Sequence, residues 1–217
     1  MYCVAMYGCV VTEPVTPKAD LGILFMHNEG YSTMCGHGII ALVTALLETG
    51  AFPAMGQYTP VNLDTPAGLV NFIVVHLTPQ SEEAQVVAIH HLHHYLDTLP
   101  RASKVIIVGD FNAPPNAPSI HMLTRRGTVE DTAAQFCDAW LVINPHDPGP
   151  TMPSHAPVSR IDYVFVSSSL SVLNAQRIGH QADEDGFYAS DHLGLVVTLQ
   201  LVAGGVTMQD WHQLNHD

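Results

Sequence analysis

Six polar side chains stand at the ends of apolar runs, where a sheet would bring them to one edge. They are His76, Asp110, Asn112, Asp162, Asp191 and His192. Carboxylate and amide oxygens are the ligands that Mg²⁺ prefers, and a bound Mg²⁺ can neutralise a phosphate and polarise its P–O bond. A neutral histidine near a carboxylate can orient or deprotonate a water molecule. Each residue alone is typical of a turn or a cap, so the prediction of phosphate chemistry rests on the ordered set.

Cys35 is a second candidate, in the string Met34-Cys35-Gly36-His37-Gly38 before an amphipathic helix. A thiol at a helix N-terminus has a lowered pKa, and the free backbone N–H groups there can hold a carboxylate. Those properties suit a cysteine that removes the α-proton of an amino acid. The alternative is a half-buried thiol beside a glycine-rich turn.

Hydrophobic periodicity predicts the elements that must position these residues. Apolar runs predict strands over 9–15, 21–27, 61–63, 68–77, 105–108, 163–166 and 195–201, and helical spacing predicts helices over 39–48, 81–99 and 119–126. The continuous run from Val105 to Val108 predicts a strand that is buried on both faces. Strands that alternate with helices favour an α/β or α+β layered fold.

The charge balance restricts the class of partner. Seven Lys and Arg residues against twenty Asp and Glu residues give a formal net charge of −13. This charge repels polyanions, so duplex nucleic acid is disfavoured as a partner and a small or lipid phosphoester is favoured. The four cysteines have no paired spacing, which is typical of reduced thiols in a cytoplasmic protein. No stretch approaches the length of a membrane span.

The ordered strings from about Asn71 to Leu201 resemble the endonuclease/exonuclease/phosphatase family. They are a strand ending in His76-Leu77, a helix, Gly-Asp-Phe-Asn at 109–112, Arg-Ile-Asp-Tyr-Val-Phe at 160–165 and Ser-Asp-His at 190–192. The resemblance implies a four-layer αββα sandwich, in which two sheets lie between layers of helices. It also implies hydrolysis of a phosphodiester with Mg²⁺ or Mn²⁺.

The resemblance also implies a role for each matched residue. Asp110 and Asn112 would contact the scissile phosphate and the nucleophilic water or the metal, and Asp191 would complete the metal shell. His192, oriented by Asp162, would act as general base or phosphate ligand. His76 would flank the phosphate.

The early Asn and the metal-binding Glu of that family have no matching motif before Asn71. Glu13, Glu29 and Glu48 are glutamates without the surrounding pattern. One sheet of the sandwich is therefore expected to be incomplete, which would leave an apolar face uncovered.

The first part of the sequence resembles a different family, that of proline racemase and hydroxyproline epimerase or dehydratase. The matching strings are Met6-Tyr7-Gly8, Glu13-Pro14-Val15, the run 25–32, the run 34–38 around Cys35, and Asp64-Thr65-Pro66-Ala67-Gly68. The resemblance implies that Cys35 is the first of two catalytic residues. No second Cys or Thr in a glycine-rich turn follows, because Cys137 lacks flanking glycines.

The two resemblances meet at Val70-Asn71 without a linker. We therefore expect a racemase-like fragment over 1–70 and a phosphoesterase-like part over 71–217. The abrupt change of motifs favours the hypothesis of a fusion or truncated gene product, which a transcript across the junction would test. His90 and His94 share a helical face and could hold a metal, but a solvated surface is the favoured interpretation.

Overall fold

A computed structural model describes residues 8–27, 30–32, 46–47, 49–53, 56–65, 68–100, 103–124 and 136–201. The strands in this part are β1 Gly8–Thr12, β2 Leu21–His27, β3 Gly30–Ser32, β4 Tyr58–Thr65, β5 Gly68–His76, β6 Lys104–Asp110, β7 Phe136–Asp138, β8 Asp162–Ser167, β9 Leu170–Ile178 and β10 Gly194–Leu201. The helices are α1 Glu82–Leu96, α2 Pro118–Thr124 and α3 Ala139–Ile143.

Eight strands form one mixed sheet in the order β1-β2-β4-β5-β6-β8-β7, and β3 pairs with β2. The central strands β5 and β6 are parallel, while β8 runs antiparallel to β6. A separate two-stranded sheet consists of β9 and β10. The carboxyl ends of β5 and β6 therefore meet the beginning of β8 at one edge of the large sheet.

Two apolar clusters cover the two faces of the large sheet. On β6, Val105 and Ile107 belong to the cluster that packs under α1 and α2, whereas Ile106 and Val108 belong to the cluster beneath β9 and α3. All four of these side chains are buried, which confirms the prediction of a strand buried on both faces. The layers are therefore helices, the large sheet, and the β9–β10 sheet together with α3.

Ser81 begins α1, because its hydroxyl oxygen accepts a hydrogen bond from the amide of Ala84 at 3.2 Å. Ile89, Leu92 and Leu96 are buried on this helix, as the spacing predicted. Val86 and Leu99, which the spacing also placed on the buried stripe, are half-buried, and Leu99 lies beyond the end of the helix. This packing holds α1 against β5 and β6 beside the polar edge of the sheet.

The fold agrees with most of the predicted elements and adds four that the periodicity did not indicate. The strand at Leu21–His27 has the predicted bounds, and the strands ending at His76 and beginning at Asp162 place those residues as expected. The additions are β3, β7, β9 and α3. The expected helix over 39–48 lies largely outside the described residues.

The second sheet contains two strands within the described residues, so the sandwich is partial in the sense that the sequence predicted. Leu46, Leu47 and Phe52 also pack against the apolar cluster between the two sheets, to which Ile106 and Val108 belong. A segment of the first part of the chain therefore covers part of the apolar face that the sequence predicted to be uncovered.

The expected boundary at Val70-Asn71 falls inside β5. Strand β5 pairs along its length with β4, from Tyr58 opposite Val75 to Thr65 opposite Gly68. The described residues on both sides of the boundary therefore belong to one continuous sheet. No helix in the described part of the chain is both long and apolar enough to cross a membrane.

Candidate active site

Three of the expected residues form one line across three neighbouring strands. His76 is the register partner of Asp110 across β5 and β6, and Asp110 is the partner of Asp162 across β6 and β8. We call these three residues the polar row. Because side chains alternate along a strand, the polar row shares its face with Ile106 and Val108, which face the β9–β10 sheet. The row therefore lies at the rim between the two sheets.

His192 reaches the polar row from the segment directly before β10. Its Nδ1 lies 2.9 Å from Oδ2 of Asp162, and both side chains are largely buried, at 23% and 20% exposure. An ionised carboxylate only accepts hydrogen bonds, so Nδ1 donates and the second ring nitrogen of the neutral imidazole is the acceptor. The arrangement leaves Nε2 able to take a proton.

The environment changes the pKa of both partners. Burial raises the pKa of Asp162, although hydrogen bonds from Thr151 and His192 partly oppose this effect. Burial alone would lower the pKa of His192, but the hydrogen bond and the charge of Asp162 outweigh it. The nearby carboxylates of Asp110 and Asp191 act in the same direction, so the pKa of His192 is raised above its ordinary value.

Asp110 and Asn112 form a compact pair in the loop after β6. One carboxylate oxygen of Asp110 accepts from the backbone amide of Asn112 at 2.8 Å, and the other accepts from its side-chain amide at 3.1 Å. Asn112 has a positive φ of 47°, a conformation that Asn adopts more readily than most residues. The buried Gln85 of α1 donates to the carbonyl oxygen of Asn112 at 3.0 Å and fixes the loop from below.

The hydrogen bonds of Asn112 define which group it presents to a ligand. Its amide nitrogen donates to the carbonyl oxygen of Leu77 at 2.8 Å and to Asp110, so both amide protons are used. The amide orientation is assigned from this network. The side-chain oxygen is therefore the group that Asn112 can offer to a cation or a water molecule.

Asp191 and His192 are held by a loop that includes a cis peptide between Met152 and Pro153. The amide of Ser154 donates to the carbonyl oxygen of Asp191 at 2.7 Å, and its hydroxyl donates to that of Ser190 at 2.6 Å. The side chain of Asp191 is exposed at the rim. The loop thus fixes the backbone of the Ser-Asp-His string beside the polar row.

Within the polar row, His76 is the residue whose side chain is mostly exposed to solvent. Its Nε2 lies 3.9 Å from Oδ2 of Asp110, beyond hydrogen-bond distance, and 77% of its side chain is exposed. The structure thus brings His76, Asp110 and Asp162 together with His192 but holds His76 far less tightly.

The oxygen atoms at this rim suit a hydrated Mg²⁺ better than a metal ion enclosed by protein ligands. Within the described ranges, no three His, Cys, Asp or Glu side chains cluster closely enough to hold a metal ion. Asp110 and the side-chain oxygen of Asn112 nevertheless supply hard donors, and Mg²⁺ commonly binds through one or two carboxylates, waters and a substrate phosphate. Asp110 and Asn112 are thus the residues that could hold a hydrated cation, and the described residues form no closed protein cage around it.

Other candidate residues do not join this site. Cys35 lies outside the described residues. His90 and His94 are exposed on α1, in agreement with a solvated helix surface. Arg160 is buried and its guanidinium pairs with Asp138 at 2.9 Å, so it ties the segment before β8 to the end of β7.

Sequence reasoning missed two residues that support the site. Gln85 occupies a position on the buried stripe of α1, four residues before Ile89, and a polar residue on an apolar stripe was the available signal. Thr151 is fully buried and donates its hydroxyl hydrogen to Oδ2 of Asp162 at 2.6 Å. No spacing in the sequence links Thr151 to Asp162, so no signal could have found this contact.

Solved structures with a similar fold share the endonuclease/exonuclease/phosphatase architecture. An endonuclease/exonuclease/phosphatase from Bacteroides vulgatus matches with a TM-score of 0.53 and 16% identity, covering 90% of this chain and 77% of that one. Humanised D. rerio TDP2 matches with a TM-score of 0.53 and 19% identity over 66% of this chain and 60% of that one. At these identities the likeness shows the fold alone.

Relatives in sequence point to the other family. A trans-3-hydroxy-L-proline dehydratase from Bacillus cereus is 44% identical over 91 residues, which is 42% of this chain and 26% of that protein. A 3-hydroxyproline 2-epimerase from Burkholderia multivorans is 51% identical over 69 residues, which is 32% of this chain and 21% of that protein. The chain thus spans about a quarter or less of the length of these relatives.

The family model for proline racemase matches residues 3–112. This stretch includes the strings around Cys35 and also runs through β4, β5, α1 and β6. By that match the chain belongs to the proline racemase family, while its fold is similar to that of the endonuclease/exonuclease/phosphatase proteins.

Proposed function

We propose that this protein hydrolyses a phosphoester with the help of Mg²⁺ or Mn²⁺. The observation that carries the proposal is the pairing of Asp162 and His192 beside Asp110, at the rim between two sheets of a phosphoesterase-type fold. A buried carboxylate, an oriented imidazole and hard oxygen donors at one edge suit attack by water on phosphorus.

Each side chain has a task in this reaction. Neutral His192 accepts a proton from the attacking water at Nε2, while Asp162 holds the protonated Nδ1 and stabilises the imidazolium that forms. The water oxygen forms a bond to phosphorus as the bond to the ester oxygen breaks, and the leaving alkoxide takes a proton from solvent. His76 contacts a phosphoryl oxygen from the open side of the site.

The metal would be held by Asp110, by the side-chain oxygen of Asn112 and by Asp191. When bound, it supplies charge neutralisation of the phosphate and polarisation of the P–O bond. In the endonuclease/exonuclease/phosphatase family the first half of the domain carries a metal-binding Glu, and this sequence has no matching motif before Asn71. We therefore expect weaker binding of the free cation than of the cation together with a phosphoester.

The charge around the site favours a substrate of low charge. Arg177 donates to the carbonyl oxygen of Pro150 and pairs with Asp147 at 3.2 Å, and Arg160 is buried against Asp138. Lys104 begins β6, at the opposite end of the strand from Asp110. With a net charge of −13, this rim suits a small or lipid phosphodiester better than duplex nucleic acid.

Hydrolysis of bis(4-nitrophenyl) phosphate with Mg²⁺ or Mn²⁺ tests the proposal. We expect release of nitrophenol that requires metal and disappears in Asp110→Ala and in His192→Ala. His94→Ala is the matched control, because His94 is an exposed histidine on α1 away from the row. Metal-loaded, folded protein without activity, or activity that survives both substitutions, would refute the proposal.

A second candidate function is isomerisation or dehydration of a proline-like amino acid through Cys35. It is favoured by the 57% identity over 65 residues to a trans-3-hydroxy-L-proline dehydratase from Bacillus thuringiensis, which covers 20% of that protein. Cys137 does not supply the second base, because burial raises the pKa of its thiol and Asp138 adds to the effect.

The two candidates separate on metal dependence. Incubation with trans-3-hydroxy-L-proline should show epimer or dehydrated product without any metal if Cys35 acts, and Cys35→Ser should abolish it. Absence of both reactions would favour the third candidate, an inactive chimeric product. A single cooperative melting transition would show that the chain folds as a unit even so.

A further inference from the structure

Thr151 contacts Asp162 through its side chain, and through its backbone it contacts Leu193, the residue after His192. Its hydroxyl lies 2.6 Å from Oδ2 of Asp162. Its carbonyl oxygen accepts the amide of Leu193, the residue after His192, at 2.7 Å. The loop that carries Thr151 therefore touches the carboxylate and the chain segment of the imidazole at once.

The direction of the hydroxyl hydrogen bond follows from the surrounding donors. The amides of Ile161 and Asp162 point at the Thr151 hydroxyl oxygen from 3.3 Å and 3.4 Å. An oxygen that accepts from these amides has its single hydrogen left for the carboxylate. Oδ2 of Asp162 thus receives the Thr151 hydroxyl and the Nδ1–H of His192 together.

We propose that Thr151 is the positioning residue that turns the carboxylate of Asp162 toward His192 and thereby fixes the Nδ1–H tautomer. With one oxygen held by two donors, the carboxylate cannot rotate about its bond to Cβ without losing both. Thr151 itself has no exposed surface, so its rotamer is locked by packing. The consequence for catalysis rests on the proposed function, whereas the consequence for the tautomer does not.

Thr151→Val tests this role, because it keeps the volume and the hydrogen bonds of the residue's own backbone to Ser159 and Leu193 while removing the hydroxyl. The readout is the ¹⁵N chemical shifts of the neutral His192 ring in the full chain, which distinguish the Nδ1–H from the Nε2–H tautomer. We expect the wild type to hold Nδ1–H and Thr151→Val to show a mixture. Thr151→Ser should return the wild-type pattern.

Ser154→Ala is the matched control for a loop that has merely loosened. Ser154 is 5% exposed, sits in the same loop and donates to Ser190 instead of Asp162. It should leave the His192 tautomer unchanged. If it alters the tautomer as Thr151→Val does, loop anchoring explains the effect and the proposal is wrong.

The effect of the substitution on catalysis is measured separately, as the steady-state hydrolysis of bis(4-nitrophenyl) phosphate. Thr151→Val should lower kcat about tenfold with little change in KM, by analogy with the hydrogen-bond partners that orient the ligands of metal sites and contribute about ten- to a hundredfold. An inactive wild type with the expected tautomer change would refute the proposed function and leave the positioning role intact. A wild-type tautomer in Thr151→Val, or in Thr151→Ala should the valine variant not fold, would overturn the positioning role.

Discussion

The two histidines at the rim differ in how firmly the protein holds them. His192 lies 2.9 Å from Asp162 with 23% of its side chain exposed, whereas His76 lies 3.9 Å from Asp110 with 77% exposed. The first pair is formed before any ligand arrives, and the second has room to move. The difference supports the proposed division of roles, in which His192 transfers a proton and His76 contacts a ligand from the solvent side.

We call Asp162 with His192 the ordered pair and Asp110 with His76 the open pair. Asp162→Asn should produce the largest change, because it breaks the ordered pair and leaves the open pair intact. The asparagine amide can donate to Nδ1 and would favour the wrong tautomer of His192. We expect hydrolysis to fall on the order of a thousandfold, within the range that proton transfer by a positioned side chain supplies. Steady-state hydrolysis of the aryl phosphodiester measures the change.

Asp185→Asn is the control for that substitution, since Asp185 is an exposed carboxyl in the loop before the Ser-Asp-His string. It should hydrolyse the substrate at the wild-type rate. A loss of less than tenfold in Asp162→Asn would show that the ordered pair is not the proton-transfer unit.

Gly109→Ala should have the next largest effect, on the alignment of the polar row itself. Gly109 has a φ of 139°, and a Cβ there would lie 1.9 Å from the carbonyl oxygen of Val75. The β5–β6 pairing that places His76 opposite Asp110 would have to shift. We expect a loss of about 3 kcal/mol in the free energy of unfolding, measured by denaturant titration.

Gly186→Ala separates the steric effect from the backbone effect. Gly186 also has a positive φ, of 87°, but a Cβ added there would meet no atom within 4 Å. This substitution should cost only about 1 kcal/mol, the cost of a left-handed conformation for a residue with a side chain. Equal losses in the two variants would contradict a clash with Val75.

The sequence sufficed for the strand ends of the site but not for the support of the ordered pair. His76, Asp110 and Asp162 follow from apolar runs, because a sheet brings strand ends to one edge. The hydroxyl of Thr151 lies in an irregular loop, eleven positions from Asp162, and tertiary packing alone brings it there. Local pattern has no information on such a contact.

Strand β9 was missed for a different physical reason. Its pairing with β10 has an irregularity between Thr198 and Leu199, which leaves Leu173 as an extra residue opposite them. The buried positions Leu170 and Val172 are then followed by Ala175, so the alternation is broken. A bulge therefore hides a strand from a search for period two.

His76→Ala should have a smaller effect than Asp162→Asn if the open pair serves binding and not proton transfer. Loss of one contact to a phosphoryl oxygen should raise KM about tenfold, near 1.4 kcal/mol, with kcat changed little. Steady-state kinetics over a range of substrate concentrations separates the two constants. A fall in kcat as large as that in Asp162→Asn would show that the two histidines share the chemical step.

The smallest expected effect is a pH-dependent difference in thermal stability between His192→Gln and His76→Gln. The pKa of His192 is raised in the folded protein above 6.5, because the bond to Asp162 and the surrounding carboxylates outweigh burial. Its stabilising contribution is therefore complete below the unfolded pKa and is lost as the pH rises through the folded pKa. His192→Gln should lower the melting temperature more at about pH 5.5 than at about pH 9.

His76→Gln is the control, and it should lower the melting temperature at neither pH, because that side chain is largely exposed and makes no hydrogen bond to Asp110. Calorimetry at both pH values decides the matter, and an equal loss from His192→Gln at the two would show that the carboxylates around His192 do not hold its proton.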